Sequence, residues 1–246
     1  MRDKTGTSNA QAQHSNSRRA SPLRRLFSFV PKSKTLTRTL LVMFALIAAV
    51  WFIHRQAQIA VPDLEVVNRA EQLSFYSHWE TRLPKYKKLF VEAADKHGID
   101  WPLLTAIGYQ ESKWRENAVS PTGVRGLMML TRATAKELGV EDRTKPEESI
   151  FGGAQYLEYL LSRAPDQLDE EGKLWFAVSA YNGGINRVRT AFRQWSSIEG
   201  ITPDWFAFER DMLGAEERSA LRISMLYTRH VRDYYRIASS IVANGR

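Results

Sequence analysis

The 246-residue chain contains no cysteine. That excludes disulfides, thiolate metal sites, a cysteine nucleophile and lipid attachment at an N-terminal cysteine, and it leaves the redox compartment open. Histidine is scarce: His14, His54, His78, His97 and His230 are scattered without the spacing of metal ligands, so neither a metal nor a cofactor is expected. Sustained alternation of apolar and polar residues between hairpin turns is missing, and so is an internal repeat, which argues against a sheet or a solenoid. Most of the chain also lacks excess charge. Nine of the 35 Lys and Arg lie in residues 1–38 against Asp3 alone, so the remainder carries 26 of each sign. A nucleic-acid groove needs basic residues on the folded part, and no nucleic acid is expected as a partner.

What is present begins with a basic, Ser-, Thr- and Gln-rich stretch, residues 1–35, whose composition cannot offset the entropy of ordering it. It is expected to be a disordered tail. Leu40 to Ile53 is then an unbroken run of fourteen apolar residues, eighteen if counted from Leu36 with Arg38 snorkelling. Three readings compete: a buried core helix, a cleaved signal peptide and an uncleaved signal anchor. The basic tail conflicts with a core helix, and WFIHRQAQIAV offers no small-x-small cleavage site. Residues 36–56 are therefore expected to be a transmembrane anchor. The positive residues precede it, which places the tail in the cytoplasm and everything after Ile53 on the far side. Residues 57–76, with Pro62, are expected to be a tether or a short docking helix, and 77–246 a compact all-α domain.

Within that domain the 3.6-residue period marks Tyr86, Leu89, Phe90 and Ala93 on a helix from Pro84 to His97 that Gly98 stops. Thr131 caps a short helix ending at Gly139, and Pro146 opens another with Ile150, Ala154, Leu157, Leu160 and Leu161 inward. Lys173 to Asn182 is apolar nearly all round, as a central buried helix is. Trp195 to Leu213 reads as aromatic and irregular. A final helix is expected from about Ala215 to Ala243.

The helix that organises the rest is Trp101 to Trp114, with Asp100 at the N-cap and Pro102 in the first turn, where a missing N–H costs nothing. Leu104, Ile107, Gly108 and Glu111 fall on one face, so a carboxyl sits on the apolar stripe. Burial there disfavours the charged form and raises the pKa, which is what a general acid requires. The competing reading is a Glu at a helix C-terminus whose side chain bends out to water.

Three stretches are read together: Glu111-Ser112, Gly126-Leu127-Met128-Met129 and Ala180-Tyr181-Asn182-Gly183-Gly184. Singly, each has a structural explanation in core packing or capping. In order, and with the surrounding YQESKWRENAVSPTGVRGLMMLT, LGVEDRTKPEESIFGGAQYL and AVSAYNGGINRV, they resemble the lytic transglycosylases of glycoside hydrolase family 23. The resemblance runs from about Pro84 to Ile241. Met129 in place of the family Gln, with ITPDWFAFERDML, is most similar to the membrane-bound lytic murein transglycosylase F branch. That branch carries a solute-binding-protein-like domain for which this chain has no room.

The resemblance implies a lysozyme-like helical fold and a peptidoglycan substrate cleaved at the MurNAc–GlcNAc linkage in the periplasm, the protein being tethered to the inner membrane. It implies that Glu111 is acid and then base, and that Tyr181 hydrogen-bonds and orients its carboxyl. Ser112 and Asn182 contact the saccharide, Gly126 permits close backbone approach beneath the site, and Met128 belongs to the same substrate-binding loop. A Tyr on the last helix lies near the catalytic Glu, with Tyr234 the better match and Tyr235 the alternative. No role passes to Met129, which cannot make the family Gln's hydrogen bond. Ordinary glycosidases use two carboxyls, and none of the three stretches supplies a second. One suffices if the substrate's own acetamido group stabilises the developing positive charge and its C6 hydroxyl closes a 1,6-anhydro ring. Goose-type lysozyme hydrolysis of the same bond and a non-catalytic glycan-binding scaffold are the alternative readings.

Overall fold

The computed structural model describes residues 34–57, 64–214 and 219–245. Of the expected tail, residues 1–33 lie outside them, as does the part of the tether around Pro62, whereas Lys34 and Thr35 belong to the first helix. The chain divides into two units, Met1–Gln58 and Ile59–Arg246.

The first unit holds α1, Lys34–Ala57. Free of Gly and Pro and rich in Leu and Ala, it is helical by propensity. Its Leu41, Phe44, Ile47 and Val50 are exposed. Among the described residues no helix is long and apolar enough to cross a membrane.

The second unit is helical, its β content among the described residues being isolated bridges at Val119–Arg125 and Arg125–Leu130. It opens earlier than the pattern suggests. Residues 64–76, expected as tether, are part of the fold. Asn68 caps α2, Arg69–Thr81, through its Oδ1 to the N–H groups of Ala70 and Glu71, and Glu71 returns a carboxylate to the Asn68 N–H. This reciprocal capping box fixes the helix start. Phe75 on α2 is fully buried, a contribution of about 2–3 kcal/mol. The buried Asp233 carboxylate accepts from the backbone N–H groups of Glu65, Val66 and Val67 at 2.8–3.0 Å. That tie across more than 160 residues has no local sequence signature, which is why the segment reads as a linker.

A 3₁₀ turn at Leu83–Lys85 leads into α3, Lys87–Lys96, and Gly98 follows at φ +62°. The central helix is α4, Trp101–Ser112. Leu103 through Tyr109 are all buried, so α4 is enclosed all round rather than amphipathic. α5, Arg132–Glu137, is capped by Thr131 as expected, and α6 spans Pro146–Leu161. α7, Glu170–Gly183, starts at the Asp169 cap and ends at Gly184, φ +82°.

α8, Ile185–Ser196, runs into the stretch expected to be irregular, Trp195 to Leu213, which is non-helical at residues 197–204 but helical from Trp205 onward, in α9, Trp205–Gly214. Val188, Phe192 and Trp195 of α8 and Trp205 and Phe208 of α9 are buried in one core. α10, Ala220–Ala243, begins at the Ser219 cap and packs along α4, α7 and α9. At the α2–α10 side a salt-bridge network joins Arg232 to Glu209 at 3.0 Å and to Glu65 at 3.1 Å. Arg232 and Glu209 are both buried, which makes their pairing obligatory.

Candidate active site

Glu111 lies one residue before the end of α4. The helix stops abruptly after it: Lys113 and Trp114 are both left-handed, at φ 54° and 53°, a conformation L-residues adopt at a cost of roughly 1–2 kcal/mol each. The Trp114 ring offsets this by tucking under the helix, with Nε1 donating to the Thr105 carbonyl at 3.0 Å and its indole almost wholly buried. The chain is thereby turned away from the last helical turn, where the Glu111 side chain stands.

Glu111 keeps part of its surface open to solvent, yet protein encloses its carboxyl, and desolvation pushes its pKa up to about 7. A hydrogen bond from Tyr227 and the Lys113 charge oppose that rise without cancelling it. The Tyr227 hydroxyl donates to Glu111 Oε1 at 2.6 Å from two turns into α10. Burial, the Glu111 charge and this hydrogen bond raise the Tyr227 pKa well above its ordinary value, so the phenol remains a proton donor.

Tyr181 also faces the carboxyl, its pKa raised by burial and next by the Glu111 charge, but its hydroxyl donates elsewhere, to the Met128 carbonyl at 2.9 Å. It therefore holds the 126–130 loop against α7. The expected orienting bond to Glu111 is made by Tyr227 instead. Tyr234 lies two turns further along α10, stacked on Phe75 at 5.2 Å and away from the carboxyl's hydrogen bond. Tyr235 donates to Asp100 at 2.7 Å, and Asp100, although at the N-cap position, caps no backbone N–H with its side chain. Tyr227 and Tyr234 are seven residues apart and share a helix face. Periodicity could not choose between them; the packing register of α10 on α4 does.

The loop contributes backbone rather than side chains. Gly126 sits at φ +89°, where a Cβ would overlap the Arg143 carbonyl and come within 2.7 Å of Ser149 Oγ. The Met128 N–H donates to that Ser149 hydroxyl at 3.1 Å, and the Met128 side chain is fully buried against Gly108 and Gly153. Met128 thus shapes the loop from beneath. Met129 is partly exposed at φ 49°. Ser112 is buried with its hydroxyl donating to the Gly108 carbonyl at 3.1 Å, which leaves it no free face, whereas Asn182 is exposed at the end of α7.

A single carboxyl whose pKa burial raises to about 7, at an enclosed helix end in an all-helical fold, has the properties of a general acid and base. Residues 88–201 match the family model described as Transglycosylase SLT domain, and the chain carries such a domain. It is 41% identical over 184 residues to membrane-bound lytic murein transglycosylase F 1 of Alkalilimnicola ehrlichii, covering 70% of this chain and 37% of that one. To membrane-bound lytic murein transglycosylase F of Marinobacter nauticus it is 49% identical over 141 residues, 57% of this chain and 28% of the other. The chain thus spans about a third of the length of these relatives. In fold it is similar to the 70 kDa soluble lytic transglycosylase of Escherichia coli, with a TM-score of 0.51 at 22% identity over 72% of this chain and 31% of that one. The lytic transglycosylase Slt of Pseudomonas aeruginosa gives 0.50 at 22% over 65% and 25%.

Proposed function

We propose that the protein is a peptidoglycan lytic transglycosylase that cleaves the MurNAc–GlcNAc linkage with Glu111 as its one acid and base. The observation that carries this is the Glu111 carboxyl, raised to about 7 by burial and aligned by the Tyr227 hydroxyl. Such a group is protonated often enough to donate at neutral pH and, once ionised, basic enough to take a proton back.

Glu111 gives its proton to the glycosidic oxygen as the C1–O bond breaks. The acetamido carbonyl oxygen of the substrate closes on C1 and carries the positive charge. Tyr227 stabilises the carboxylate that is left, because its hydrogen bond favours the ionised form. The carboxylate then takes the proton of the C6 hydroxyl as that oxygen attacks C1, releasing the acetamido group and forming a 1,6-anhydro ring. Glu111 returns protonated and no water is consumed. Asn182 at the rim contacts the saccharide. Tyr181 and Gly126 hold the loop that carries Met129.

The anchor belongs to the same proposal and rests on the sequence and on the relatives' names. The fourteen-residue apolar run from Leu40 to Ile53 reaches across a bilayer only when counted from Leu36 with Arg38 snorkelling. That run, and relatives named membrane-bound, support a single-pass inner-membrane protein with a cytoplasmic tail and a periplasmic catalytic domain. A reporter fused after Arg246 is expected to be periplasmic. Mass spectrometry of the products from purified sacculi tests the chemistry. Anhydro ends, one water lighter than reducing ends, are expected; reducing ends alone would show goose-type hydrolysis instead. No cleavage by a folded protein would leave the scaffold reading.

A further inference from the structure

On the α2 and α10 side of α4, a cavity of about 300 Å³ is lined by Ala70, Glu71, Ser74, His78, Tyr109, Lys113 and Tyr234. The catalytic chemistry uses none of these groups directly. At roughly 30 Å³ per water molecule, the space takes a solute of about ten heavy atoms.

The cavity contains one cation and one anion that do not meet. Lys113 Nζ lies 4.4 Å from the centre of the Tyr109 ring and 4.7 Å from that of Tyr234. It donates to the Tyr234 hydroxyl at 3.3 Å and weakly to Gln110 Oε1 at 3.5 Å. Among the described residues it has no carboxylate within ion-pair distance: Glu71 and Glu111 act on it only at longer range, and desolvation outweighs them, drawing its pKa down to about 8. A desolvated ammonium normally has a counter-charge. Glu71 shares the cavity, but its Oε2 is committed to the Asn68 N–H, and its Oε1 accepts from no described residue. Tyr234, while accepting from Lys113, keeps its own proton without a described acceptor. Tyr109 is paired with His78 Nδ1 at 3.1 Å.

We infer that this cavity is a binding site for a small zwitterion, an α-amino-acid head group whose carboxylate lies between Lys113 Nζ and the Tyr234 hydroxyl and whose ammonium faces Glu71 Oε1. Each feature then has a use. The carboxylate supplies Lys113 with a counter-charge in direct contact and Tyr234 with its acceptor, and the ammonium takes the free oxygen of Glu71. The left-handed turn at Lys113 aims the side chain into the aromatic cage rather than along α4. Neither a simple anion nor a simple cation meets both charges.

Calorimetric titration of the purified full-length protein tests this, with L-alanine, D-alanine, acetate, methylammonium and Nε-acetyl-lysine as probes. At least one alanine enantiomer is expected to bind saturably, with acetate and methylammonium at least tenfold weaker. Lys113→Met, which keeps the aliphatic stem, and Glu71→Gln, which keeps the capping hydrogen bond, are each expected to weaken alanine at least tenfold while melting cooperatively. Nε-acetyl-lysine presents the same head group on a chain: equal binding assigns the site to a displayed head group, and weak binding to a free amino acid. NMR of ¹³C-labelled tyrosine on the unmutated protein adds a readout independent of variant folding, since alanine must shift the Tyr109 and Tyr234 ring signals. No saturable heat with either enantiomer, acetate binding as tightly as alanine, full affinity in Lys113→Met, or unmoved tyrosine signals would each overturn the assignment.

Discussion

Tyr227 and Glu111, 116 residues apart, share a 2.6 Å hydrogen bond that joins the longest helix of the catalytic unit to its central one. The bond works against the desolvation that raises the carboxyl pKa, so one side chain is tuned by two opposed effects. Desolvation dominates.

Tyr227→Phe is expected to reduce cleavage roughly ten- to a hundredfold, since a hydrogen bond to a charged group contributes about 1.5–3 kcal/mol. Loss of the donor also raises the Glu111 pKa, so the alkaline limb of the pH–rate profile should move to higher pH. Tyr181→Phe frees the buried Met128 carbonyl instead. It should lower stability by about 1–3 kcal/mol and leave that limb in place. Rate profiles from pH 4 to 9 for the three proteins separate these outcomes.

Glu111→Gln is expected to abolish cleavage without destabilising the fold. The folded pKa of about 7 lies above the unfolded value of about 4.5, so between those values the native state holds more protons than the unfolded one. The stability linked to this proton is complete below pH 4.5 and is lost as pH rises through 7, on the order of 3 kcal/mol in all. The Gln variant does not lose it. Thermal melts should coincide near pH 4 and favour the variant at pH 7. A variant less stable at pH 7 would mean the carboxylate is a paired structural charge.

Removing residues 1–63 should leave a folded domain, whereas removing 1–76 should not. The longer deletion takes away Phe75, most of α2 and the three N–H groups that bind the buried Asp233, leaving that carboxylate without its hydrogen-bond donors and with only a long contact to Arg236 at 3.6 Å among the described residues. Circular dichroism melts of the two truncations check this. Equal cooperativity would show that the segment is a tether after all.

Gly126→Ala should cost at least about 3 kcal/mol, because it combines a left-handed backbone with overlap on the Arg143 carbonyl, which is backbone and cannot swing aside. Chemical denaturation reads the loss directly. Gly184→Ala meets no neighbouring atom, but φ +82° with ψ 132° lies outside the left-handed helical region in a conformation essentially confined to glycine, so it should cost about 1–3 kcal/mol from the backbone alone.

Local pattern by itself determined where α3, α5, α6 and α7 run, because caps, helix-stopping glycines and apolar periodicity act within a few residues. It also drew notice to Glu111, a carboxyl on an otherwise apolar helical stretch, but left open that the side chain turns out to water; only the motifs further along argue against that. Only the tertiary structure decided which hydroxyl meets that carboxyl, because Tyr227 and Tyr234 occupy the same face of one helix and differ only in how α10 is registered against α4. The same holds for residues 64–76, bound by Asp233 from the far end of the chain, and for the Lys113 cavity, whose charges come from α2, α4 and α10. Helix starts and stops are short-range effects that a sequence displays, whereas contacts between distant segments follow from packing, which no local pattern contains.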